Sequence, residues 1–153
     1  MKIISLFKLL PVEIAYAHCD IPCGIYDPNN LQMASHTIYR MTDMLIDEED
    51  IHQVARYTNV KEKHSDIIEE ELATLADDYF KEEHYKKYKN LEKLFEDAKG
   101  LSVKSRQNID LESANNLIEK VLEIAEIFYD SKGVESKRVK SVYPTGLEIV
   151  VQK

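Results

Sequence analysis

Residues 110–129 read DLESANNLIEKVLEIAEIFY, and their apolar positions set the fold. Leu111, Ala114, Leu117, Ile118, Val121, Leu122, Ala125 and Phe128 recur at spacings of three and four, the period of a helix with one buried face. Gly133 follows at a natural helix stop. Upstream, Leu31, Ala34, Ile38, Met41 and Leu45 repeat the pattern over 29–46, and DEED at 47–50 supplies acidic residues where the next helix starts. Ile51, Val54, Ile67, Ile68, Leu72 and Leu75 predict a long helix over 50–79, with a kink near Asn59. Tyr85, Tyr88, Leu91, Leu94, Phe95 and Ala98 predict a third helix, stopped by Gly100. Four helices with one apolar face each and short connections make an all-α, up-down four-helix bundle.

Composition agrees and narrows the class. A chain of 153 residues is one domain's worth, and only four Gly and four Pro argue against a loop-dominated or disordered chain. A formal charge of −8 removes the basic stripe that nucleic-acid binding requires. No apolar run reaches the roughly 18 to 20 residues that span a bilayer. Two Cys cannot form a disulfide framework. The tail, RVKSVYPTGLEIVVQ at 138–152, places β-branched residues around a Pro-Thr-Gly turn and reads as two short strands or an extended arm. An isolated hairpin is marginal in water, so the tail packs on the bundle or on another subunit.

The amino terminus carries the chemistry. Residues 1–17, MKIISLFKLLPVEIAYA, have a basic start, an apolar stretch broken by Lys8, and Ala15 and Ala17 in an A-x-A cleavage pattern directly before His18. The readings are a processed leader that is not an export signal, an export signal, or a retained amphipathic arm. The first two both start the mature chain at His18. Loss of Lys2, Lys8 and Glu13 removes one net positive charge, turning −8 into −9. The expected organisation is a leader at 1–17, a hook and bundle at 18–133, and an extension at 134–153. The expected compartment is the cytoplasm, with export through the leader as the alternative.

Residues 18–28, HCDIPCGIYDP, form a turn-rich hook. With the leader gone, His18 offers a free amine and an imidazole. Cys19 offers an amide nitrogen and a thiolate, and Cys23 returns through Pro22 with a second thiolate. The amine and amide close one five-membered chelate ring, and the amide and Cys19 sulfur close another. An N₂S₂ plane suits Ni(II) or Cu(II) rather than tetrahedral zinc. The His18 imidazole reaches an axial position, and such donors stabilise Ni(III). A C-x₃-C pair is most often two plain thiols or, in an exported chain, a disulfide. Here the adjoining His, the A-x-A pattern before it and the absence of other Cys favour a metal.

The hook resembles that of the nickel superoxide dismutases, whose mature chains begin H-C-D-x-P-C-G-x-Y-D-P. DYFKEEHYKKYKNLEKLFEDA at 78–98 is similar to a second segment of the same family, so the resemblance covers about 18–133. It implies disproportionation of superoxide with nickel alternating between Ni(II) and Ni(III), and Cys19, Cys23 and His18 as ligands. It further implies a cis peptide at Pro22, a leader-processing protease and a homohexamer with each hook packed on neighbouring subunits. Tyr26 would stand over the open face, or else be a core tyrosine; Asp20 would hold the hook, or simply cap a turn. The family often braces the axial imidazole with a Glu in the first helix and an Arg in the second. Ala34 and His64 stand at those positions, so that brace is altered, and His64 reads equally as a solvated helix histidine. Lys81, Lys86, Lys87 and Lys89 are candidates for steering the anionic substrate.

Competing readings are weaker. A di-iron bundle needs Glu-x-x-His on two helices, and only Glu49-x-x-His52 occurs. An exported, non-enzymatic helical module with a Cys19–Cys23 disulfide and a nickel binder without activity complete the alternatives.

Overall fold

The 110–129 stripe does become the central helix. The computed structural model describes residues 24–153, so the leader and His18–Cys23 lie outside the described residues. The elements are α1 (Asn29–Leu45), α2 (Ile51–Ala73), a π-helical segment (Thr74–Tyr79), α3 (Glu82–Lys87), α4 (Leu91–Gln107), α5 (Leu111–Ser131), β1 (Ser136–Lys140) and β2 (Glu148–Gln152). Leu117, Val121, Ile124 and Ala125 of α5 are fully buried. Sealing each of the larger ones from water contributes about 1.5–3 kcal/mol. Helix α1 packs on α2 and α5, and α4 packs on α5 and α2, which closes the four long helices into a ring.

Local chemistry sets the helix ends. Asp50 caps α2 by accepting from the His52 amide at 2.9 Å, the role expected of the DEED run. Asp110 caps α5 through the Ser113 amide at 3.1 Å and also meets Lys104 at 2.8 Å. Gly133 ends the helical region with φ 68°, a left-handed conformation that a Cβ would oppose. Lys61 of α2 is buried and donates to the Asn108 carbonyl at 2.8 Å, tying α2 to the α4–α5 connection.

Two helix boundaries differ from the periodicity reading. Gly100 does not stop the third long helix, because α4 runs through it to Gln107. Ala98 and Leu101 on either side pack into the core, and that contact overrides the residue's weak propensity. Tyr85 and Tyr88 are not part of α4 either; they belong to the short α3 turn and its end. Helix α2 is continuous past Asn59, and the irregularity falls instead at 74–79, where the Phe80 amide donates to the Leu75 carbonyl five residues back.

The tail packs on its own bundle. Strands β1 and β2 pair antiparallel, with Arg138 opposite Val150, around a Tyr143–Gly146 turn closed by a 3.0 Å bond. The Gln32 side chain of α1 pairs with both peptide groups of buried Val150, accepting at 2.7 Å and donating at 3.1 Å. Arg138 holds Glu126 at 2.8 Å and Glu119 at 2.9 Å. Buried His36 of α1 is also bound to the tail. The Glu148 carbonyl can only accept, so Nε2 donates to it at 3.0 Å, and Nδ1 then accepts from the Thr145 hydroxyl at 2.8 Å.

Two outcomes follow. A Cβ at Gly100 would meet nothing within 4 Å, so Gly100→Ala should raise stability by about 1 kcal/mol in denaturant melts. Burial lowers the His36 pKa, with the Glu148 bond opposing in part. The unfolded chain therefore binds this proton more readily, and the stability that neutral His36 contributes is full above about pH 6.5 and lost as pH falls towards the lower folded value. His36→Ala should cost about 2–3 kcal/mol and abolish that loss.

Candidate metal-hook site and its aromatic seat

The described part of the site begins where the hook enters the bundle. Asp27 accepts from the Asn29 amide at 2.7 Å, and Pro28 offers its carbonyl to the Gln32 amide at 3.1 Å, so the chain turns directly from Tyr26 into α1. Two residues stand between Cys23 and Tyr26, three Cα steps that limit their separation to about 11 Å. His18, Cys19, Asp20, Pro22 and Cys23 lie outside the described residues. Among the described residues no group of three or more His, Cys, Asp or Glu could hold a metal. The only two Cys of the sequence, Cys19 and Cys23, belong to that stretch.

Tyr26 is half-buried, with its ring centroid 5.4 Å from that of Tyr79. Tyr79 is the last residue of the π-helical segment. Its ring meets Phe128 at 4.7 Å, Phe80 at 4.8 Å and His84 at 5.8 Å, and its hydroxyl bonds Ser131 Oγ at 2.6 Å. Tyr79, Phe80 and His84 all come from the 78–98 segment, so the second motif supplies the seat on which Tyr26 rests. The Lys132 ammonium stands 5.3 Å from the Tyr79 ring centroid and 4.9 Å from that of Phe128. Periodicity did not reveal Tyr79, since its approach to Tyr26 depends on the extra residue in the π turn.

The lysines expected to steer an anion are largely engaged. Lys86 pairs with Glu82 at 2.7 Å, Lys87 with Asp130 at 3.0 Å, and Lys81 lies 3.5 Å from the Asp77 carbonyl. Tyr88 also bonds Asp130. Lys89 is exposed. Lys132, beside the Tyr26 seat, has the better placement.

Ala34 and His64 both line a cavity of about 580 Å³ between α1, α2 and the tail turn. Ala34 is buried and presents only a methyl group. His64 is not simply solvated: its Nδ1 donates to the Val60 carbonyl at 2.8 Å, which leaves Nε2 as an acceptor.

The comparisons agree with this arrangement. The nickel-containing superoxide dismutase family matches residues 13–132. A nickel superoxide dismutase of Streptomyces coelicolor is 29% identical over 123 residues, covering 80% of this chain and 93% of that protein. One from Streptomyces seoulensis is 30% identical over 117 residues, covering 76% and 88%. Two solved structures, a native nickel superoxide dismutase and one with nickel ligation corresponding to the oxidised state, align with a TM-score of 0.71 at 27% identity. The first covers 75% of this chain and 99% of its own. The family match over most of the chain defines the class, a metal-dependent oxidoreductase. The chain belongs to the nickel-containing superoxide dismutases, acting on superoxide with nickel as its metal. The tail beyond residue 132 is outside the family match.

Lys132→Glu should lower kcat/KM for superoxide about threefold to tenfold at low salt, with the gap closing as the Debye length shrinks to about 3 Å near 1 M salt. Pulse radiolysis across an ionic-strength series checks this.

Proposed function

We propose that nickel is held by His18, Cys19 and Cys23 after residues 1–17 are removed, and that this hook carries the dismutase reaction. The observation that supports it best is the continuity of HCDIPCGIYDP into Tyr26 and its seat on Tyr79. The reaction takes two superoxide ions and two protons to one O₂ and one H₂O₂. When bound, nickel supplies a one-electron couple between Ni(II) and Ni(III), brought within reach of superoxide by two thiolates and a deprotonated amide.

The chain's own residues do the rest. Cleavage turns the His18 peptide nitrogen into an amine and completes the donor set, so processing controls metal loading. The imidazole of His18 would be available to the metal as a further nitrogen donor. Asp20 holds the hook by hydrogen bonds, and Pro22 fixes its return. Tyr26, backed by Tyr79, narrows the approach so that small anions enter and larger ones do not. Lys132 draws the anion towards a chain that is otherwise acidic. Residues 18–133 form the hook and bundle, and 134–153 are an extension beyond the family match, which ends at residue 132. The mature protein assembles as a homohexamer after a protease removes the leader, and it acts in the cytoplasm, with export as the alternative.

Electron paramagnetic resonance tests the reading. The chain starting at His18, loaded with Ni²⁺ under reducing conditions and then oxidised, should give a rhombic Ni(III) signal split into three lines by one axial nitrogen. The signal should be absent from the full chain and from Cys19→Ser. Silence in the processed chain would refute the redox hook and favour the disulfide module.

A further inference from the structure

The tail hairpin treats its two edges differently. Bonds across it come at alternate positions: the Lys153 amide donates to the Glu135 carbonyl at 2.9 Å, and the Ser141 amide to the Leu147 carbonyl at 3.0 Å. The pairs Lys137 with Val151 and Val139 with Ile149 lie between these and share their phase. Ser136, Arg138 and Lys140 on β1, and Glu148 and Val150 on β2, therefore turn their peptide groups away from the ladder and towards the outer edges.

On β2 that edge is sealed by α1. Gln32 takes both peptide groups of Val150, and His36 donates to the Glu148 carbonyl at 3.0 Å. Among the described residues β1 has no such seal: nothing bonds the outward peptide groups of Ser136, Arg138 or Lys140. None of these residues lines the cavity beside Ala34. A sheet edge with unpaired donors and acceptors is a template for one more strand.

The side chains decide which kind of strand. Arg138 is taken up by Glu126 and Glu119. Lys137 and Lys140 are exposed, and neither forms an ion pair among the described residues, in a chain of net charge −8. A second β1 laid antiparallel about Arg138 would set Lys137, Arg138 and Lys140 beside the same three cations, and like charges across a strand pair destabilise it. The edge therefore rejects its own copy and favours carboxylates at those positions. Three residues apart, Lys137 and Lys140 project from opposite faces of the strand, so a matching segment carries acidic residues at the same spacing. Val142, 98% exposed just beyond the strand, adds an apolar contact.

We propose that the outer edge of β1 docks an extended acidic segment of another protein. That segment adds to the hairpin as a third strand through the peptide groups of Ser136, Arg138 and Lys140, with its carboxylates against Lys137 and Lys140. The proposal requires neither nickel nor removal of the leader.

Fluorescence anisotropy on the full chain tests it, with a dye-labelled, end-blocked peptide of sequence TEVTEV as the probe. Binding should saturate below about 1 mM at low salt, and the TKVTKV counterpart should bind about tenfold more weakly or worse. Lys137→Glu with Lys140→Glu should reverse that preference. Ser136→Pro removes one outward N–H while keeping both lysines, and should weaken TEVTEV about tenfold. In hydrogen exchange the Arg138 amide should be faster than those of Lys137 and Val139, and should slow when the peptide is added. No saturable binding at about 1 mM would overturn the proposal. Equal binding to Ser136→Pro would overturn it as well, reducing the contact to charge attraction alone. An Arg138 amide already protected without peptide would do the same, showing the edge covered by the chain itself or by a second copy.

Discussion

The bond from the Phe80 amide to the Leu75 carbonyl spans five residues instead of four, and the aromatic seat depends on it. One extra residue in that turn carries Tyr79 off the line of α2 and over Phe128 of α5, where its hydroxyl reaches Ser131. From there its ring is free to meet Tyr26. A regular helix continued through 74–79 would place Tyr79 about 100° further round the axis for the same residue count, on a different face. The π turn thus lies directly behind Tyr26.

The long helices were legible because burial imposes a period. The α5 stripe from Leu111 to Phe128 and the α1 stripe from Leu31 to Leu45 are the faces that are buried. The hook reading draws on another kind of signal, adjacent residues rather than burial: His-Cys followed by Cys four positions on is read without coordinates, and it lies outside the described residues. Gly100 misled because helix propensity is a weak local preference, and the packing of Ala98 and Leu101 outweighs it. The π turn has no comparable signature, so Tyr79 could not be connected to Tyr26 in advance. The cavity beside Ala34 required three separate elements to meet, which no local pattern announces.

Electrostatics shows a division of labour within an acidic chain. Half of the cations among the described residues are paired locally: Arg106 sits among Asp66, Glu69 and Glu62, Arg138 between Glu126 and Glu119, and Lys86 and Lys87 against Glu82 and Asp130. Exposed pairs of this kind add little stability, about 0–1 kcal/mol each, but they cancel charge where it stands. Lys132 is held differently, over two aromatic faces whose quadrupole attracts the ammonium without neutralising its formal charge.

The two bonds between Gln32 and Val150 join residues 118 positions apart. Protein synthesis proceeds from the amino terminus, so the Gln32 amide is made early and has no tail partner until nearly the whole chain has been translated. A buried amide left unpaired costs about 1–3 kcal/mol. The first helix to leave the ribosome is therefore the last to be completed.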